Sequence, residues 1–122
     1  MSIIGYLEGT DPLVLANLTI AGHGCYPLGN GFDNHGKFVG QLTKSDKISL
    51  IVGYFHKVIP TQDQAMSMED ILAPCLKLDI PILLICGREY YGQAKELLED
   101  MSERIRLTAP ERLEEMIKEM LK

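Results

Sequence analysis

Two short apolar runs stand out in the pattern of hydrophobic and polar positions along the chain. Residues 48–55 and residues 81–86 lack the regular polar alternation of a strand with one solvent-exposed face. Runs of this kind are typical of strands buried on both faces, as in a parallel sheet covered by helices. Shorter apolar segments at residues 3–7, 24–28 and 105–107 predict three further strands.

Helical spacing is clearest in the last third of the chain. Between residues 90 and 101, apolar side chains recur on one helical face and polar side chains occupy the other. Residues 113–121 repeat this pattern, and Thr108 and Glu111 have the spacing of a capping box in front of it. The sequence therefore predicts two amphipathic helices here.

A third helix is predicted between the two central strands. Ser67 and Asp70 again have capping-box spacing, and the apolar positions that follow have helical spacing. Pro74 lies inside this segment, where its ring would clash with an upstream carbonyl. We therefore expect a helix that is kinked or that starts late.

Residues 13–21 fit two interpretations. Asp11 before Pro12 has the pattern of an N-cap followed by proline at the first helical position, and Gly22 is a suitable residue after the last turn. The β-branched residues of this segment fit a strand instead. We favour the helix because the signals at its two ends agree.

Strands and helices thus alternate along the chain. This alternation predicts an α/β fold, a three-layer sandwich around a mostly parallel sheet of about five strands, flavodoxin-like or small Rossmann-like. We expect one domain over residues 1–122, since the length is typical of a single domain and no internal repeat or linker interrupts it.

The composition, 46% hydrophobic and 24% charged residues, is that of a globular protein. No apolar run approaches the roughly 18 residues that indicate a membrane span, so we expect no membrane association. The first residues lack the features of a secretory signal, which leads us to expect a cytoplasmic protein.

The formal net charge is −5, and Lys and Arg are scattered rather than arranged in a stripe. We therefore expect no nucleic-acid partner. Cys25, Cys75 and Cys86 show no CxxC spacing and each lies in an apolar stretch, which predicts reduced thiols. Because no pair of ligands has the spacing of a rigid metal site, we expect no metal ion.

Ligands of parallel sheets bind beyond the carboxyl ends of the strands, where loops and helix N-termini meet. In the loop after the first predicted strand, Gly9 and Thr10 precede a helix start and could receive an anionic group. The alternative is structural: Gly9 permits the turn and Asp11 caps the helix.

The segment 29–36 combines three glycines with polar side chains in one loop. Asn30, Asp33 and His35 are its candidate ligand-binding residues, and we expect Asp33 and His35 to affect affinity more than folding. It matches neither a P-loop nor a dinucleotide-binding glycine motif. The alternative is turn chemistry in which Asp33 or Asn34 caps a helix that begins near Lys37.

His56 and Arg88 complete the candidate site, since each directly follows the carboxyl end of one of the two buried strands. A histidine there can bind an anion or move a proton, and an arginine can bind a carboxylate or phosphate through two hydrogen bonds. The pattern defines no catalytic residues and identifies no cofactor.

Two functions are compatible with these features. The first is binding of an anionic or nucleotide-like small molecule at the carboxyl edge of the sheet, with no reaction assigned. The alternative is a non-catalytic subunit or homo-oligomeric protein in which an apolar helix face meets a partner. Methionines at helical positions favour this alternative because Met adapts to interfaces.

Overall fold

A computed structural model describes residues 2–31, 35–59 and 67–121. Six strands form one sheet in the order β3-β2-β1-β4-β5-β6, and every neighbouring pair is parallel. The strands are β1 (Ile3–Tyr6), β2 (Gly24–Gly29), β3 (Lys37–Phe38), β4 (Leu50–Tyr54), β5 (Ile82–Ile85) and β6 (Ile105–Thr108).

The α-helices of the described ranges cover both faces of this sheet. They are α1 (Pro12–Ile20), α2 (Met68–Lys77), α3 (Tyr91–Leu98) and α4 (Leu113–Met120). The buried side chains of α1 and α4 form one core cluster with the sheet, and those of α2 and α3 form a second cluster on the opposite face. The fold is therefore the three-layer α/β sandwich that the alternation of strands and helices predicts.

The five strands expected from the apolar pattern are present, with ends that differ by one or two residues. β4 and β5 are almost entirely buried, as uninterrupted apolar runs require. The sheet has six strands rather than about five, because Lys37–Phe38 adds a two-residue edge strand beside β2. The order 3-2-1-4-5-6 is the order of Rossmann-like sheets.

Residues 12–20 form a helix, which resolves the ambiguity of this segment. Asp11 is its N-cap: the backbone N–H of Leu13 donates to Oδ1 of Asp11 at 2.9 Å, and Pro12 occupies the first turn. β-Branched side chains do not prevent this helix because the cap and the burial of Val14 and Leu18 outweigh a weak propensity.

Asp11→Ala should lower the free energy of unfolding by about 1 kcal/mol, the usual cost of losing an N-cap acceptor. Chemical denaturation of the two proteins measures this difference. Asp11→Asn is the matched control, because its side-chain oxygen can still accept the hydrogen bond. Equal losses in the Ala and Asn variants would show that the hydrogen bond at 11 contributes nothing to α1.

The capping box before α2 is also confirmed. Ser67 Oγ accepts from the N–H of Asp70 at 3.1 Å, and the Asp70 carboxylate accepts from the N–H of Ser67 at 2.7 Å. The helix begins at Met68 and runs through Pro74, so the expected late start is wrong.

Two expectations about helix starts are wrong. Thr108 does not cap α4: it is the last residue of β6, and its hydroxyl donates to the carbonyl of Ala109. A short 3₁₀ turn, Pro110–Arg112, precedes α4 instead. The alternative of an α-helix that begins near Lys37 is also wrong, because Lys37 lies in β3 and a short 3₁₀ turn, Val39–Gln41, follows that strand. In both places the extended backbone gains hydrogen bonds to a neighbouring strand, and a local capping pattern does not compete with that pairing.

None of the helices in the described ranges has the length and apolar character needed to cross a membrane.

Candidate functional site

A cleft of about 490 Å³ opens at the carboxyl ends of β4 and β5. Its walls come from the turn after β4, the turn after β5, one face of α3 and Pro110 ahead of α4. Its lining includes Tyr54, His56, Ile85, Cys86, Tyr90 and Leu97. The cleft thus lies at the edge of the sheet where ligands of parallel sheets bind.

One wall of the cleft is a single face of α3 and the turn before it. Tyr90, Gln93 and Leu97 line the cleft at positions three and seven residues apart, which is the spacing of one helical face. Tyr90 is 55% exposed and Leu97 is 56% exposed, although both are large and apolar. Leu98, the next residue in the helix, is fully buried and packs α3 against the sheet. The wall is therefore rigidly supported and open to a ligand.

The opposite wall follows β4. A 3₁₀ turn over Phe55–Val58 buries Phe55 and Val58 and leaves His56 exposed. The His56 ring lies beside the ring of Tyr54, with centroids 5.6 Å apart and planes inclined by 38°. This pair presents two ring surfaces to the cleft together with ring nitrogens that can form hydrogen bonds.

Cys86 forms part of the cleft wall where β5 ends, and its N–H donates to the carbonyl of Thr108 at 3.0 Å. Burial raises the pKa of the Cys86 thiol, and the negative charge of Glu89 raises it further. The thiol is thus held protonated, which is the opposite of an activated cysteine nucleophile. Cys75 is buried in the core, where burial raises the pKa of its thiol to about 12.

Glu89 places a carboxylate on the turn between β5 and α3. A Cβ built on Gly87 would lie 2.8 Å from Oε1 of Glu89, so the carboxylate packs on the Gly87 backbone. Arg88 lies between these two residues and is exposed. The turn that adjoins the cleft at Gly87 therefore carries one acidic and one basic residue in succession.

A second group of polar residues lies after β1, β2 and β4. The side-chain amide of Asn30, only 1% exposed, donates to the carbonyl of Lys57 at 2.6 Å. The Lys57 ammonium lies 3.4 Å from Oε2 of Glu8, and its Cε would lie 3.8 Å from a Cβ on Gly9. These contacts connect the three loops at the crevice between β1 and β4, where the strand order reverses.

Thr10 and His35 also make internal hydrogen bonds. The buried Thr10 hydroxyl donates to the carbonyl of Leu7 at 2.8 Å. His35 Nδ1 lies 2.9 Å from the carbonyl oxygen of Leu28, and its ring meets the edge of the Tyr6 ring at 5.5 Å. The Thr10 hydroxyl and the Nδ1 atom of His35 therefore stabilise their own loops through hydrogen bonds to backbone carbonyls.

The expected site residues fall into two groups in the structure. Gly9, Thr10, Asn30 and His35 lie in the loops after β1 and β2. His56 lines the cleft, whereas Arg88 follows cleft-lining Gly87 without lining the cleft itself. Asp33 lies outside the described residues.

Residues that sequence reasoning missed supply most of the cleft. Tyr54, Ile85 and Leu97 fit the apolar pattern of a strand or a helix, and this pattern predicts core positions for them. Leu97 could have been distinguished, since the buried face of α3 already contains Ala94 and Leu98. Within residues 2–31, 35–59 and 67–121, no cluster of three His, Cys, Asp or Glu side chains could hold a metal ion.

A search against protein-family models finds no match for the chain, and no curated protein matches it. Inference about function therefore rests on the cleft and on the polar residues around it.

Proposed function

We propose that this protein binds a nucleotide-like small molecule, with the ring of the ligand in the cleft at β4 and β5 and its anionic group at the rim. The observation that carries the proposal is an open cleft of about 490 Å³ at the carboxyl edge of a parallel sheet, with exposed apolar side chains in its wall. Small-molecule sites have about 300–1,000 Å³ and are lined mainly by apolar and aromatic groups.

The ring of the ligand would lie between the two walls of the cleft. Tyr90 and Leu97 offer apolar surface from α3, while Tyr54 and His56 offer ring surfaces from the turn after β4. Covering Tyr90 and Leu97 with an aromatic ring removes apolar surface from water, which favours binding.

The rim suits the polar part of a nucleotide. The exposed guanidinium of Arg88 can form two hydrogen bonds with a phosphate or carboxylate. The Glu89 carboxylate next to it repels an anion but accepts hydrogen bonds from hydroxyl groups, as on a ribose. This combination favours a ligand with both hydroxyl and anionic groups over a simple anion such as inorganic phosphate.

The proposal is for binding, with no reaction assigned. Cys86 is the cysteine in the cleft wall and therefore the candidate nucleophile for a bound ligand. The pKa of its thiol is raised rather than lowered. A protonated thiol is a weak nucleophile, so covalent catalysis through Cys86 is not part of the proposal.

A thermal-shift screen tests the proposal with ATP, NAD, FMN, coenzyme A, adenosine and inorganic phosphate. A ligand at one hundred times its dissociation constant adds about 2.7 kcal/mol to the free energy of unfolding, which is readily measured. We expect at least one nucleotide to raise the melting temperature and inorganic phosphate to have no effect. No stabilisation by any nucleotide would contradict the proposal.

Titration calorimetry of variants then locates the site. Leu97→Glu should weaken binding of the active nucleotide by more than tenfold, because it removes apolar contact and adds a negative charge. Ile20→Glu is the matched control: Ile20 is 84% exposed on α1 and lies outside the cleft. Arg88→Gln should weaken binding of the nucleotide but leave binding of the corresponding nucleoside unchanged. If Leu97→Glu and Ile20→Glu have equal effects, the ligand binds elsewhere.

A further inference from the structure

Gln93 occupies the middle of the α3 wall of the cleft. It lies between Tyr90 and Leu97 along the chain, and all three side chains line the cleft. Residues three and four positions apart are neighbours on one face of a helix. A ring that packs against this wall therefore has the side-chain amide of Gln93 within reach of its edge.

The amide of Gln93 is available to a ligand. Its side chain is exposed, and within the described ranges it forms no hydrogen bond to another part of the chain. The nearby backbone groups are already paired. The N–H of Cys86 donates to the carbonyl of Thr108 at 3.0 Å, and the carbonyl of Gly87 accepts from the N–H of Tyr90 at 3.0 Å. Polar contacts to a ring in the cleft must therefore come mainly from side chains.

A carboxamide differs from the other polar groups in the cleft lining. Those groups are the hydroxyls of Tyr54 and Tyr90, the ring nitrogens of His56 and the thiol of Cys86. Each of these atoms forms its hydrogen bonds separately, whereas an amide presents a donor and an acceptor side by side. Gln93 is thus suited to pair with two adjacent polar atoms of a ring at once.

We infer that the cleft binds adenine nucleotides and that Gln93 determines this preference. Adenine carries an amino donor next to a ring-nitrogen acceptor, and a Gln amide pairs with these two atoms through two parallel hydrogen bonds. The apolar faces of the base would lie against Tyr90 and Leu97. This inference rests on the proposed function, because it specifies the base within the class of nucleotides.

Guanine fits the same wall less well. One of its edges presents two acceptors, O6 and N7, which an amide cannot match with a donor and an acceptor. Its other edge presents an acceptor and two donors, of which one amide pairs with two. The remaining polar group would lose water without gaining a partner, and this costs affinity. The carboxylate of Glu89 would suit the donors of guanine, but Glu89 is not part of the cleft lining.

Calorimetric titration of the full chain with ATP and with purine riboside triphosphate tests the pairing. The second ligand lacks only the amino group of adenine. We expect it to bind the natural protein about tenfold more weakly than ATP, the usual effect of losing such hydrogen bonds. Gln93→Ala should weaken ATP by about tenfold as well, but it should leave the affinity for purine riboside triphosphate nearly unchanged.

Gln41→Ala is the matched control. Gln41 is an exposed glutamine in the short turn Val39–Gln41, outside the cleft. Its replacement should leave the affinity for ATP unchanged. Gln and Ala are both good helix formers, so Gln93→Ala should keep α3 intact, and circular dichroism checks this. GTP provides a further comparison: it should bind the natural protein at least fivefold more weakly than ATP.

Two results would overturn the role of Gln93 and leave the proposed function intact. The first is an equal loss of affinity for ATP and purine riboside triphosphate in Gln93→Ala, which would show that Gln93 does not pair with the amino group. The second is binding of GTP or FMN at least as tight as that of ATP. Failure of every nucleotide to bind would instead contradict the proposed function, and this inference with it.

Discussion

Leu98→Ala should lower the free energy of unfolding by about 3 kcal/mol, the middle of the range for buried leucines. Leu98 is fully buried between α3 and the sheet, and its loss leaves a cavity that the rigid strands cannot fill. For a domain of this size the melting temperature should fall by roughly 10 °C. Chemical denaturation with a fixed slope against denaturant measures the free energy directly.

The neighbouring residue provides the matched control. Leu97→Ala removes the same atoms from the same helix, but Leu97 is 56% exposed in the cleft wall. Its effect should stay within about 0.5 kcal/mol, as for most surface substitutions. Similar losses at 97 and 98 would mean that α3 packs differently and that the cleft wall is not open.

Gly36→Ala should cost more than about 2 kcal/mol. Gly36 has φ +66°, where a side chain alone costs about 1–2 kcal/mol. A Cβ at this position would also lie 2.2 Å from the carbonyl oxygen and 2.5 Å from the carbonyl carbon of Pro27 in β2. Backbone atoms of a paired strand cannot move aside as a flexible side chain can, so the two costs add.

Gly22→Ala separates these two contributions. Gly22 has φ +96°, and a Cβ there would meet nothing within 4 Å. It should therefore show the conformational cost without the steric one, and its loss of stability should be clearly smaller than that of Gly36→Ala. Denaturation curves of the three proteins decide this, and equal losses would show that the chain at Gly36 can shift away from β2.

Much of the fold could be predicted because burial itself determines the sequence pattern. Residues in β4 and β5 are buried on both faces of the sheet, and the resulting uninterrupted apolar run is typical of a covered parallel strand. The helix at residues 12–20 could be predicted from Asp11 and Pro12, because a cap is local chemistry. The strand order could not, since it depends on which distant strands pair.

The sixth strand escaped prediction because it is too short to have a pattern. Lys37–Phe38 pairs with Leu28 and Gly29 over two residues only, and this pairing is decided by the position of β2. The capping box predicted from Thr108 and Glu111 is absent for a related reason. The backbone pairing of β6 with β5 extends through Thr108, so this residue belongs to the strand and cannot cap α4.

The sequence predicts which polar loop residues belong to the candidate site, but it does not predict which atoms they contact. Asn30 and His35 sit at the expected edge, yet their hydrogen bonds go to the carbonyls of Lys57 and Leu28. An apolar cleft wall has no sequence signature of its own, because Tyr90 and Leu97 have the same spacing as core residues. Exposure of such residues is visible only once the helix is placed.

Methionines at helical positions favour the alternative of a subunit or homo-oligomer, but the exposed apolar side chains of α1 are not methionines. Met68, Met101, Met116 and Met120 are half-buried against the two core clusters. The large exposed apolar side chains of α1 are Leu13 and Ile20. The long uncharged stretch after Asp11 is the feature of the sequence that could have indicated this exposed apolar surface.

The position of Ser2 governs how the protein can be tethered for binding measurements. The N–H of Ser2 donates to Nδ1 of His23, just after the end of α1, and its carbonyl accepts from the N–H of Gly24. β1 then runs away from this point toward the edge that carries the cleft. An affinity tag or a sensor-chip linkage before Ser2 would therefore leave the cleft accessible to a ligand.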